Sequence, residues 1–124
     1  MKTQPRDAFP TPMDEPVHEW RRNDLVVSTD RARIDLDLVH AFLSRSYWAA
    51  GIPREVVARS IQHSLCFGIY RAERQLAFAR VVSDLSTFAY LGDVFVVEEE
   101  RGRGQSKWLM EIVDPEVYVR ASGR

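Results

Sequence analysis

The residues best suited to chemistry in this 124-residue chain stand together as Arg101-Gly102-Arg103-Gly104-Gln105-Ser106-Lys107, and an amphipathic run follows them directly. A loop that enters a helix presents unpaired backbone N–H groups and the positive end of the helix dipole at one point, and phosphate groups bind there. Gly102 and Gly104 let the backbone turn tightly and approach a ligand closely, while Arg101, Arg103 and Lys107 add positive charge. The run Glu98-Glu99-Glu100 before the loop reads as a solvated turn that offsets the arginines. It argues against RNA binding through the Arg-Gly repeat, because adjacent carboxylates repel phosphates.

Spacing separates the kinds of phosphate loop. A Walker loop needs Gly, four residues, then Gly-Lys-Ser or Gly-Lys-Thr, which this stretch lacks. A dinucleotide fingerprint needs a third glycine and an early strand of a parallel unit. Here the loop follows three consecutive strand-like runs, Leu65 to Tyr70, Gln75 to Val82 and Thr87 to Val97, the first two joined by the four-residue turn Arg71 to Arg74.

Earlier elements must carry this meander. Leu25 to Thr29 is a short β-branched strand. Leu36, Val39, Leu43 and Tyr47 recur at helical spacing, Phe42 widens the stripe, and Gly51 stops it. Pro53 opens a second helix with Val56, Val57 and Ile61 on its apolar face. Residues 1–23 hold four of the six prolines and read as a flexible tail, so the domain is placed at 24–124. After the final helix, Val117 to Val119 could make a short last strand.

Composition bounds the partners. One domain fits the length. A formal charge of -1 gives no global pull toward nucleic acid or an anionic membrane. Cys66, the single cysteine, lies between Leu65 and Phe67 and reads as a core thiol. Without a disulfide framework, a cysteine cluster for zinc or a membrane-length apolar stretch, a soluble, cytoplasmic, metal-free protein is expected.

Arg101, Gly104 and Ser106 fall on the pattern Arg or Gln, any two residues, Gly, any residue, Gly or Ala, with Ser in place of the smaller final residue. This resembles the acyl-CoA pyrophosphate loop of the GNAT superfamily of N-acetyltransferases. The strand Asp93 to Val97, the helix after the loop and the order of elements from Leu25 to Val113 resemble that family too. The resemblance implies an α+β fold with a mixed, mainly antiparallel sheet and helices packed on it. It also implies transfer of an acetyl group from acetyl-CoA to an amine by direct attack.

In that reading the amides of Gly102, Arg103, Gly104, Gln105 and Ser106 hold the pyrophosphate, assisted by Arg101 and Arg103. The pantetheine arm runs along Phe95, Val96 and Val97, and an N–H near Phe95 or Val96 polarises the thioester carbonyl. Asp93 is the first candidate for the base and Glu98 the second; a strand-end carboxylate is the simpler reading of Asp93. His40 and His63 are read as structural or acceptor-side residues, and Tyr47 and Trp48 as core or groove wall. The family normally continues past this helix with a fifth strand, a fourth helix and two further strands, so here the C-terminal strands are expected to be short or missing. Tyr118 matches no family pattern for an acid. A bare sheet edge would favour a homodimer, and a CoA-binding module without turnover is the alternative function. A small regulatory or nucleic-acid-binding domain is the third.

Overall fold

The computed structural model describes residues 15–85 and 87–113. Five strands, β1 Glu19–Arg22, β2 Leu25–Ser28, β3 Leu65–Arg71, β4 Arg74–Ser83 and β5 Ala89–Val96, lie side by side in sequence order. Every neighbouring pair is antiparallel. Helices α1 Leu36–Arg45 and α2 Arg54–Gln62 connect β2 to β3, and helix α3 Gln105–Val113 follows β5. The α+β class and the order of elements match the expectation.

Local chemistry sets the helix ends. The Asp35 side chain accepts from the Leu38 N–H at 3.0 Å and opens α1, while the Asp35 N–H donates to Gln75 Oε1 at 2.7 Å, fixing that end to β4. At the other end Ser46 Oγ donates to the Leu43 carbonyl at 2.7 Å and accepts from the Ala49 N–H at 3.1 Å. This turns the chain outward, so Tyr47 lies beyond the helix and is 94% exposed, although its spacing placed it on the buried stripe. Pro53 stands at the α2 N-cap with φ -66°.

The first strand is a further difference. Glu19–Arg22 pairs with β2 through a turn in which Asn23 adopts φ 56°, so the sheet begins five residues before Asp24, inside the segment read as tail. Trp20 is the one apolar residue of this strand packed against the core, beside the Arg22 guanidinium 4.6 Å over the Trp108 ring, which leaves no apolar alternation for a sequence pattern to show. Residues 1–14 of that tail, and the run Val117 to Val119 with Tyr118, lie outside the described residues.

Alternation along the strands builds a core on each face of the sheet. On one face α3 packs Trp108, Leu109, Ile112 and Val113 against residues such as Phe67, Ile69, Ala79 and Val96. On the other, α1 and α2 pack Val39, Leu43, Val57 and Ile61 against Cys66, Phe78 and Phe95. Leu109 is 0% exposed at the centre of the α3 contact. Leu109→Ala should destabilise the protein by roughly 2–5 kcal/mol, read as a lower urea midpoint; a midpoint equal to wild type would show that α3 does not seal that face.

Candidate active site

The site forms where β5 runs out at the edge of the described sheet. Val97 donates its N–H to the Leu76 carbonyl at 2.9 Å. Bonded and unbonded pairs alternate along an antiparallel ladder, so Phe95 faces β4 with its polar groups while Val94 and Val96 turn theirs outward. The Val96 carbonyl accordingly accepts from Arg101 Nε at 3.0 Å. On this outer side Phe42 of α1 stacks on Phe95, ring centroids 4.1 Å apart, and floors a cleft of about 490 Å³ lined also by Val94, Val96, Arg101, Gly102, Gly104 and Ser106.

Further up β5 the register slips. Ala79 faces Val94 and Val81 faces Leu91, so Gly92 and Asp93 together stand opposite Arg80 in a β-bulge, which re-aims the Asp93 side chain. Arg80 Nε donates to Asp93 Oδ2 at 2.9 Å and its Nη1 to Ser64 Oγ at 3.1 Å. A Cβ at position 92 would come within 3.3 Å of the Arg80 guanidinium, so glycine there makes room for it. The other oxygen of Asp93 accepts from Trp48 Nε1 at 3.1 Å, tying the half-exposed indole beyond α1 to the bulge. An arginine inside the apolar run Leu76 to Val82 is the sequence signal for this partner.

The glycine loop has the expected form. Gly102 and Gly104 adopt φ 82° and 78°, conformations that non-glycine residues rarely hold, and the Gly104 carbonyl accepts from the Trp108 N–H at 3.1 Å to start α3. An added Cβ at either glycine would meet nothing within 4 Å, so the space over the loop is open. Arg101, Arg103, Ser106 and Lys107 are exposed, whereas Gln105 is buried.

The three glutamates divide. Glu98 is exposed and lines a second cleft of about 750 Å³ with Phe42, Arg45, Tyr47 and Trp48. Glu99 pairs with Arg74. Glu100 is only 4% exposed. It accepts from Arg71 Nη1 at 2.8 Å and Nη2 at 3.3 Å, from Gln105 Nε2 at 2.7 Å and from Arg103 Nη1 at 3.4 Å. The sequence reading of a solvated turn is therefore wrong at this position, since the third residue of the run reaches inward to the β3 arginine. Gln105 gives its NH₂ to Glu100 while its Oε1 is buried without a partner among the described residues, an arrangement that costs about 1–3 kcal/mol.

Other candidates resolve as structure. His40 Nε2 lies 3.0 Å from the Ile52 carbonyl, and His63 caps α2 in an exposed position. Burial pushes the Cys66 thiol up to about 12, with Arg31 and Arg80 pulling weakly the other way. The thiolate is the reactive form, so alkylation of native Cys66 at mildly alkaline pH should run on the order of a thousandfold slower than in urea. Equal rates would overturn the buried placement. Among the described residues no group of three or more His, Cys, Asp and Glu side chains is arranged to hold a metal, and no helix is long and apolar enough to cross a membrane.

The Arg71 guanidinium holds the Glu100 carboxyl below its ordinary value of 4.5; burial opposes the shift, and Gln105 and Arg103 assist it. Asp24 faces the same guanidinium, accepting from its Nε at 2.9 Å. A carboxylate depressed in the folded state stabilises the fold fully above its unfolded value and loses that contribution as pH falls through the folded one. The stability gap between wild type and Glu100→Gln should therefore be largest at neutral pH and shrink below 4.5. A gap independent of pH in urea titrations would contradict the ion pair.

Comparison with known proteins follows the same lines. No family model matches the chain. A Gibberella zeae protein described as a candidate acetyltransferase is 30% identical over 115 residues, covering 77% of this chain and 65% of that protein, so the chain spans just under two thirds of its length. A Staphylococcus aureus protein of unknown function, itself a candidate acetyltransferase, shares the fold with a TM-score of 0.61 at 19% identity; the match covers 79% of this chain and 71% of that one. The crystal structure of a candidate acetyltransferase of the GNAT family from Xanthomonas campestris pv. campestris superposes with a TM-score of 0.71 at 54% identity. That match covers 75% of this chain and 68% of the other. With sequence and fold agreeing at that level, the chain belongs to the GNAT family of acetyltransferases.

Proposed function

We propose that this chain binds acetyl-CoA at the loop Arg101 to Ser106 and transfers the acetyl group to an amine acceptor by direct attack. The observation that carries the reading is the placement of two positive-φ glycines between the outward edge of β5 and the start of α3, beside a cleft of about 490 Å³. The amides of Gly102 to Ser106 and the α3 dipole suit a pyrophosphate, and the open space over the glycines admits it.

The outward polar groups of Val94 and Val96 are where a pantetheine amide would add like a strand, and the Val96 N–H is the donor placed for the thioester oxygen. The Phe95 N–H, the other candidate, belongs to the β4 ladder. The amine nitrogen attacks the carbonyl carbon, the C–S bond breaks, the attacking nitrogen gives up a proton, and the thiolate takes one from water. Of the two candidate carboxylates, Glu98 stands at the loop end of β5, about 15 Å along the strand from Asp93. Glu98 is the second candidate for the base and Asp93 the first. Each oxygen of Asp93 keeps a further lone pair beside the bonds to Arg80 and Trp48, enough to receive the amine or a relay water.

The acceptor enters between Trp48, Tyr47 and the bulge. A cytoplasmic enzyme acting without metal fits this reading.

Calorimetric titration of acetyl-CoA tests the site: Gly104→Glu should weaken binding by on the order of a hundredfold or more, because its carboxylate would stand against the phosphates. Equal binding by both proteins would sink the assignment. Binding by wild type without thiol release over a panel of amines would favour the CoA-binding module.

A further inference from the structure

The loop that receives the phosphates has nothing packed on its glycines, yet it needs both of them held at positive φ. Loop amides that must order on binding cost affinity, and amides already in place do not. Something across the loop's neck has to supply that order.

The neck is closed from residue 100 to residue 105. Glu100 ends the 3-10 turn Glu98–Glu100, and its carboxylate takes the Gln105 amide at 2.7 Å from the first residue of α3. Arg71 of β3 grips the same carboxylate with two nitrogens, and Arg71 is held in turn by Asp24 of the β1–β2 turn. Arg103, at the centre of the loop, reaches back to the same oxygen at 3.4 Å. On the entry side Arg101 Nε bonds the Val96 carbonyl at 3.0 Å, so the backbone enters and leaves the loop between fixed points.

We propose that Glu100 is a positioning residue for acetyl-CoA: held by Arg71 in the sheet, it closes the neck of the phosphate loop through Gln105 and presets the amides of Gly102 to Ser106 before the ligand arrives. This rests on the acetyl-CoA reading of the loop. Glu100 itself is buried beneath the loop and does not contact phosphate. Its two neighbours in the acidic run cannot substitute, since Glu98 faces solvent and Glu99 is drawn to Arg74.

The test compares wild type, Glu100→Gln and Gln105→Met by hydrogen exchange without ligand and by acetyl-CoA calorimetry. The methionine keeps the side chain's bulk and the Glu100–Arg71 pair while deleting only the neck bond, so it decides the question even where Glu100→Gln fails to fold. Exchange of the Arg101 and Trp108 amides, which bond the Glu98 and Gly104 carbonyls at 3.2 and 3.1 Å at the two ends of the loop, should rise about tenfold in both variants, with β3 and α1 unchanged, and acetyl-CoA should bind about tenfold more weakly. A merely structural role predicts a lower urea midpoint with loop exchange and affinity unmoved, and that result would overturn the proposal. Wild type failing to bind acetyl-CoA would sink the ligand reading, while the exchange data would still decide whether Glu100 sets the loop.

Discussion

Everything at this site depends on the loop end of β5, Phe95 and Val96, being buried on both faces while the strand's outer edge stays unpaired among the described residues. Val96 points into the core under α3 and Phe95 into the core under α1 and α2, so the strand is clamped by alternation. A strand so clamped can leave its edge polar groups exposed without fraying. Its end point, and with it the start of the glycine loop, is fixed by the same packing.

From that fixed end the chain arranges its charges locally, because its overall balance of -1 provides no field. Arg101 turns back to the strand it has just left, and Arg103 to Glu100. Neither arginine is committed to the open space over the glycines, so the backbone amides and the helix dipole are the constant part of the proposed anion site. Midway along the strand, the bulge opposite Arg80 does the corresponding work for Asp93. It turns the carboxylate to where Arg80 and Trp48 both reach it, joining the sheet to the segment after α1.

Legibility followed the length scale of the interaction. Helices α1 to α3 and strands β2 to β5 were readable because their apolar residues repeat with the period of the element, and the loop because glycine and arginine at fixed offsets have few other uses. Strand β1 was not readable, since Glu19–Arg22 offers a single core residue. Tyr47 misled because its spacing continues the α1 stripe while Ser46 ends the helix, a choice made by one hydroxyl. Glu100 misled because its neighbours in sequence are solvated and nothing local marks it as different.

The sequence by itself determined the element order from β2 onward, the two-faced strands and the place of the glycine loop, because periodicity, turn chemistry and glycine are local properties. Only the tertiary structure decided which carboxylate is buried against Arg71, where the register slips to turn Asp93 toward Arg80 and Trp48, and that Phe42 floors the cleft. Those outcomes depend on partners tens of residues away, and a pairing across the sheet leaves no mark in the run of residues that makes it.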